Sequence, residues 1–331
     1  MRYRILILLL IMYAGVQAQR IEQLASGTKS SFRGLSVVND EVIWVSGSNG
    51  TIGKSINGGA TWEWMIVKGF ETRDFRDIEA FDKDCAIILA ISEPAHILKT
   101  IDGGRNWKVV FSDSTKGMFL DAMDFYNTRN GLVVGDPVDG KVFLAYTKNK
   151  GESWTKFNGD KKQRRWVTNE GEAFFASSGT NISYFKKGKY KLVSGGKSAR
   201  LFDETGDHAL PIIQGKESTG ANSIATYKNQ YAIVGGDFNN DKDTTSNCII
   251  TNDAGRNWIV PTTTPHGYRS CVIYLNADQL IACGTSGVDI SLDGGMNWKL
   301  ISPDGFHVCQ LSKKGKSVFL AGNGKIARLV W

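Results

Sequence analysis

Five of the chain's nine tryptophans close copies of one eight-residue pattern. The copies are Ser55-Ile-Asn57-Gly-Gly-Ala-Thr61-Trp62, Thr100-Ile-Asp102-Gly-Gly-Arg-Asn106-Trp107, Thr147-Lys-Asn149-Lys-Gly-Glu-Ser153-Trp154, Thr251-Asn-Asp253-Ala-Gly-Arg-Asn257-Trp258 and Ser291-Leu-Asp293-Gly-Gly-Met-Asn297-Trp298. A repeat at this period implies an array of one supersecondary unit. Each position has a physical job. The Asp or Asn at the third place accepts backbone N–H bonds and closes a turn. The Gly at the fifth supplies a backbone angle that other residues resist, and the Trp buries a large ring. Asn57, Trp62, Asp102, Trp107, Asn149, Trp154, Asp253, Trp258, Asp293 and Trp298 are therefore read as a folding device.

Successive copies start 45, 47, 104 and 40 residues apart, so the long gap holds two units, one without the pattern. Units of this length suit four strands. Short β-rich runs alternate with glycine turns, as in Val42-Ile43-Trp44-Val45 before Gly47-Ser-Asn-Gly50 and Gln279 to Cys283 before Gly284-Thr-Ser-Gly287. The expected fold is all-β: a seven-bladed propeller of four-stranded antiparallel blades, with six blades as the runner-up. Units begin near Phe32, Phe75, Phe119, Glu172, Asn222, Tyr268 and Phe306. The last is short by one strand. Arg20–Ala25 is expected to supply it, closing the ring and removing exposed edges.

Residues 1–18 are set apart from the single domain of 19–331. Arg2 and Arg4, the apolar run Ile5 to Tyr13 and Val16-Gln17-Ala18 read as a secretory signal peptide cut after Ala18. The run is shorter than the roughly 20 residues needed to span a bilayer; an uncleaved anchor is the alternative. Export to a periplasmic or extracellular space follows, with no transmembrane segment in the mature chain. The net charge of +7 becomes +5 without Arg2 and Arg4. Basic clusters at 161–165 and 186–189 lack the density and motif of a nucleic-acid interface and read as solvated loops. Cys85, Cys248, Cys271, Cys283 and Cys309 have no CxxC spacing, which argues against zinc and thioredoxin chemistry. Most read as small core residues; a Cys271–Cys283 bridge across one hairpin remains open, although directly opposed strand residues suit a disulfide poorly.

Strand order places the start of each first strand and the turn between strands two and three on one face, with the tryptophan turns on the other. Four units open alike, with Phe32-Arg33, Phe75-Arg76, Tyr268-Arg269 and Phe306-His307. The third opens with Phe119-Leu120-Asp121, the fourth has Glu170 and Glu172, and the turns add Glu93-Pro94, Asp136-Pro137 and Asp237. The expected site is a central funnel of Arg33, Arg76, Asp121, Asp136, Glu172, Asp237, Arg269 and His307. Three arginines on one rim suit a carboxylate or phosphate. Mutual pairing of these charges is the alternative.

The eight-residue pattern resembles the Asp-box, or BNR repeat, which in its family joins the third and fourth strands of a propeller blade. Residues 31–331 look most like the photosystem II stability/assembly factor-like propellers. The matching segments are Gly135-Asp136-Pro137, Gly235-Gly236-Asp237, Gly267-Tyr268-Arg269-Ser270, Gly305-Phe306-His307 and Gly324 to Arg328. The resemblance implies a non-enzymatic module that holds a protein partner through an arginine-bearing surface. Sialidase-like propellers also use the Asp-box, and imply a glycoside hydrolase with Asp136, Glu172 or Asp237 as acids, or a carbohydrate-binding propeller without chemistry. Their Phe-Arg-Ile-Pro segment is absent, since Phe32-Arg33 continues with Gly34-Leu35. No GxGxxG or heme motif indicates a redox cofactor. No cofactor is expected, the chain is expected to be a monomer, and no metal is expected. The run Asp237-Phe-Asn239-Asn-Asp241-Lys-Asp243 alternates oxygen ligands but lacks the glycine and closing glutamate of a calcium loop.

Overall fold

The computed structural model describes residues 19–157 and 166–331, so the expected signal peptide and the basic run at 161–165 lie outside the described residues. No helix occurs among the described residues, and none is long and apolar enough to cross a membrane. The strands pair antiparallel into six sheets.

Four sheets have four strands each. They run through Phe75–Ala80 to Lys108–Asp113, Leu120–Phe125 to Thr155–Lys156, Ile182–Lys186 to Gly206–Ala209, and Cys271–Tyr274 to Trp298–Ser302. A fifth is built on Thr219–Tyr227, Gln230–Asp237 and Cys248–Thr251, and adds the short Gly195–Gly196 and Glu172–Ala173. The sixth joins the chain's two ends. The strand Arg20–Val37 is long enough to serve twice. Its first part, Arg20 to Ser26, pairs with Val330 to Lys325, and its later part, Phe32 to Val37, pairs with Gly47 to Ile43. Val318–Val330 likewise pairs with Val308–Leu311 before it reaches Arg20–Val37. The sheet count is therefore six, that of the runner-up and not the expected seven, because these two long strands fuse the first and last units into one ladder.

The sheets pack into a ring. The first strand of each unit touches the next in a closed cycle: Arg20–Val37, Phe75–Ala80, Leu120–Phe125, Ile182–Lys186, Thr219–Tyr227, Cys271–Tyr274, Val308–Leu311 and back to Arg20–Val37. Separate apolar clusters fill the seams between neighbouring sheets. This is a β-propeller. The fourth unit's inner strand is Ile182–Lys186, ten residues later than Glu172. Glu172–Ala173 instead pairs with Gly196–Gly195.

Four of the tryptophan turns join the third strand of their unit to the fourth, whereas the turn after Cys248–Thr251 leads only to a single bridge between Ile259 and Ile250. In the first, Gly59 N–H donates to Ser55 Oγ at 2.9 Å and Thr61 N–H to Asn57 Oδ1 at 2.9 Å. The equivalent bonds recur at Thr100–Asp102, Thr147–Asn149, Thr251–Asp253 and Ser291–Asp293. The fifth-place glycine has φ between 73° and 95° in all five copies, a region that a side chain strains. Each indole packs backward onto the preceding sheet: Trp107 joins the cluster between the first and second units, and Trp298 the cluster between the fifth and sixth. Where the fourth unit lacks the turn, Trp166 fills the seam against Tyr190 and Phe202.

A second device ties the sheets together. The inner strand of a blade has one edge facing the channel, and its N–H groups need acceptors. Side chains of the preceding inner strand provide them. Ser36 Oγ accepts from Ala80 N–H at 2.9 Å, Asp77 Oδ2 from Met123 at 2.7 Å, Asp124 Oδ2 from Tyr184 at 2.6 Å and Ser223 Oγ from Val272 at 3.0 Å. At the next seam the acceptor is Cys271 Sγ, 3.4 Å from Cys309 N.

Candidate functional site

The residues that open the inner strands are placed by β-bulges. In the first sheet the pairing runs Phe32 with Gly47 and then Gly34 with Ser46, leaving Arg33 as the extra residue. The second sheet skips Arg76 in the same way, the third Asp121 and the fifth Asn222. A bulge turns its unpaired side chain out of the alternation of the strand. The aromatics that open four of the units, Phe32, Phe75, Tyr268 and Phe306, are all buried. The register also sets the two ends apart. Phe32 pairs with Gly47, whereas Val37 pairs with Ile43 and Ile43 with Ser55, so the bulges and the tryptophan turn lie at opposite strand ends.

Arg33 and Arg76 form a cationic pair at this mouth, with the imidazole of His307 beside them. Among the described residues Arg33 makes no ion pair; its Nη1 donates to Ser177 O at 3.3 Å. Burial and then the Arg76 charge pull the Arg33 pKa down. Arg76 lies 3.5 Å from the Asp74 carboxylate, covers the Phe119 ring at 5.8 Å, and keeps a buried Nε without a partner. Burial, then Arg33 and Arg76, pull the His307 imidazole down to about 3, so it is neutral at ordinary pH and 3.1 Å from Ser31 Oγ. Two buried carboxyls stand nearby, and Asp121 is within reach of the Arg76 charge. Burial and the neighbouring Asp136 push Asp121 well above the usual range, and burial pushes Asp136 up to about 6 while its Oδ1 accepts from Phe174 N–H at 2.9 Å.

Two expected members of the funnel are committed elsewhere. Arg269 is wholly buried, with Nε 2.6 Å from Asp289 Oδ2 and Nη1 on Tyr268 O and Ser286 Oγ. Its side chain therefore ties strands of its own sheet together and offers no rim group. Glu172 is buried against Arg200, whose Nε lies 2.9 Å from Oε1, and takes a hydrogen bond from Ser194. Asp237 is buried near the mouth. Burial would raise its pKa, but hydrogen bonds from Ser218 and the Asn239 N–H hold it below the usual carboxylate range. The Asp237–Asp243 run is a hydrogen-bonded turn fastened by Thr285 Oγ1 to Asp241 at 2.7 Å.

The sequence reading missed three polar residues here. Tyr268 Oη donates to Asn222 Oδ1 at 2.9 Å and to Ser177 Oγ at 3.2 Å, and Ser177 Oγ also donates to Asn222 Oδ1. Asn222 shares the bulge position of Arg33 and Arg76, which is the signal that could have found it. Further along the channel is a cavity of about 310 Å³ bordered by Asp77, Asp124, Thr226, Tyr274 and Gln310. The five cysteines are buried and unbridged; Cys271 and Cys283 face each other across one strand pair without a bond.

No protein-family model matches the chain. Among curated proteins, 168 residues are 27% identical to vacuolar protein sorting/targeting protein 10 of Pyricularia oryzae, covering 50% of this chain and 9% of that protein. The chain thus matches a small part of that relative's length. Among solved structures, one described as YCF48 bound to D1 peptide has a TM-score of 0.66 at 16% identity, covering 94% of this chain and 95% of that one. YCF48 from Cyanidioschyzon merolae gives 0.64 at 17% identity, over 94% and 98%. Saccharomyces cerevisiae Sqt1 gives 0.55 at 12% identity over the same shares. At these identities the likeness is one of fold, and it agrees with the propeller read from the strand pairing.

Proposed function

We propose that this chain is a non-enzymatic, exported propeller that holds an anionic segment of a partner protein, through Arg33, Arg76 and His307, in assembly or stabilisation. The observation that carries this reading is a contrast between arginines. Arg200 and Arg269 are bound by buried carboxylates, whereas among the described residues Arg33 pairs with no carboxylate and Arg76 pairs only with the exposed Asp74, at 3.5 Å. Positive charge is concentrated here with only one exposed ion pair, from Arg76 to Asp74, to offset it among the described residues. A carboxylate entering the mouth would meet two guanidinium groups in partly buried surroundings, where charge-assisted bonds are strong. The likeness to a YCF48 structure holding a D1 peptide supports a peptide as the ligand class. The cycle of seven inner strands supports counting the fused six-stranded sheet as two blades closed by Arg20–Ala25, a seven-bladed ring. The tryptophan turns fit the Asp-box reading.

One observation favours the alternative of a glycoside hydrolase. Asp136, at about 6, could act as a proton donor beside Asp121. Glu172 supports no such role because Arg200 and Ser194 occupy its oxygens.

The test is binding of short acidic peptides, with free or amidated C-termini, by fluorescence anisotropy at two salt concentrations. The expected result is binding that weakens with salt and loses about tenfold or more in the Arg33→Gln/Arg76→Gln double variant, equivalent to roughly 1.4 kcal/mol. Equal affinity of the variant and the wild type would overturn the reading. Turnover of an aryl-glycoside panel that Asp136→Asn abolishes would favour the hydrolase.

A further inference from the structure

Three thiols meet inside the seam between the sixth and seventh units. Cys271 and Cys283 are register partners on adjacent strands, and Cys309 arrives from the inner strand Val308–Leu311. All three are fully buried, and their sulfurs lie within 4.8 Å of one another, with Cys271 and Cys309 at 3.7 Å. No spacing in the sequence brings them together; the ring does.

Packing alone explains small buried residues, but not sulfur at all three places. At four other seams the acceptor for the neighbouring strand's N–H is an oxygen, from Ser36, Asp77, Asp124 and Ser223. At this seam it is Cys271 Sγ, a weaker acceptor. A serine would serve the hydrogen bond better. What sulfur adds is affinity for soft cations.

The geometry fits such an ion. A metal at the centre of three thiolates with bonds of about 2.3 Å needs sulfurs about 4.0 Å apart. The Cys271–Cys309 separation of 3.7 Å is close to that value, and no pair of the three sulfurs is more than 4.8 Å apart. No fourth His, Cys, Asp or Glu ligand joins the group among the described residues. A three-sulfur set suits monovalent copper better than zinc, which takes four ligands in structural sites. We propose that Cys271, Cys283 and Cys309 form a trigonal thiolate site for Cu(I) that fastens the seventh unit to the sixth. Each thiol that becomes a ligand releases its proton to solvent, the copper stays monovalent, and no oxidant or reductant is consumed. Because the seam is closed to solvent, uptake requires local opening or loading during folding.

The experiment titrates the reduced chain with Cu(I) without oxygen, against bathocuproine disulfonate, both as folded protein and during refolding. The expected result is one equivalent held with thiolate-to-copper absorption. The Cys309→Val and Cys283→Ala variants should each lose about a hundredfold in affinity or more, roughly 2.7 kcal/mol, while Cys85→Ala is unchanged. X-ray absorption of the loaded wild type, which needs no variant to fold, should show three sulfurs at about 2.3 Å. Failure to retain copper by either route overturns the proposal. So does copper bound through nitrogen or oxygen, equal retention by the variants, or a disulfide joining two of these cysteines in the freshly isolated chain.

Discussion

Arg269 and Asp289 are each wholly buried and bound to one another, with Nε 2.6 Å from Oδ2 and a second bond from Nη2. His266 Nδ1 completes the carboxylate at 2.6 Å. Removing one partner of such a pair leaves an unpaired charge in the core, which typically costs about 3–5 kcal/mol, whereas apolar replacement of both is often tolerated. Arg269→Met should therefore lower the urea midpoint sharply, and Arg269→Met with Asp289→Leu should recover most of the loss. Equal stability of the single variant and the wild type would show that the pair is not structural. Per molecule still folded, peptide binding should be untouched, in contrast to Arg33→Gln with Arg76→Gln.

The neutral state of His307 is itself measurable. Its pKa is pulled from 6.5 to about 3 by burial and by Arg33 and Arg76. The imidazole should then show no titration between about pH 5 and 8 in ring-nitrogen NMR spectra, the interval in which an ordinary histidine changes charge. Arg33→Gln with Arg76→Gln removes two of the depressing charges and should bring the transition upward. An ordinary titration midpoint in the wild type would mean that His307 is neither buried nor held beside the two arginines as described.

The tryptophan pattern made the fold legible because its cause is local: each copy contains its own acceptor, glycine and ring, so eight residues suffice to read it. The ring closure was legible because a short last unit needs an edge partner. The sheet count was not, since nothing in the composition of Arg20–Val37 marks the point where one strand passes from one ladder to the next. The grouping of residues at the proposed site was half legible. Phe-Arg at unit starts pointed to Arg33 and Arg76, but the same dipeptide pattern at Tyr268-Arg269 carries a buried pair, and only the position of Asp289 on the third strand of the same sheet distinguishes them. Glu172 failed for the same reason, through Arg200. The thiol cluster was illegible because two sheets contribute to it.

Asp136 gives the chain a specific pH dependence. Burial raises its pKa from 3.8 to about 6. Between those values the folded form holds the proton more firmly than the unfolded chain does, so this group's contribution to stability falls as pH rises through the window and stays low above it. Asp136→Asn removes the titration and keeps an oxygen for the Phe174 N–H. The variant should melt roughly 2–4 °C higher than the wild type at about pH 7, on the order of 1 kcal/mol for a large domain. The gap should close near pH 4. A gap that is independent of pH would mean that the carboxyl is not buried as described.

The last prediction concerns closure. Arg20 to Ser26 cover the edge presented by Lys325 to Val330, and Arg328 bonds Glu22 across that pair at 2.7 Å. Ile21, Leu24 and Ala25 also pack onto the apolar cluster shared by the first, sixth and seventh units. Removing residues up to Ser26 uncovers apolar side chains, each worth about 1.5–3 kcal/mol when fully buried, and exposes an unpaired strand edge that can recruit another chain. The truncated protein should melt well below the full chain and form dimers or larger species by light scattering. A peptide of residues 19–27 added in excess should restore both the melting temperature and the monomer. A truncated chain that remains monomeric with an unchanged melting temperature would show that closure does not depend on this strand.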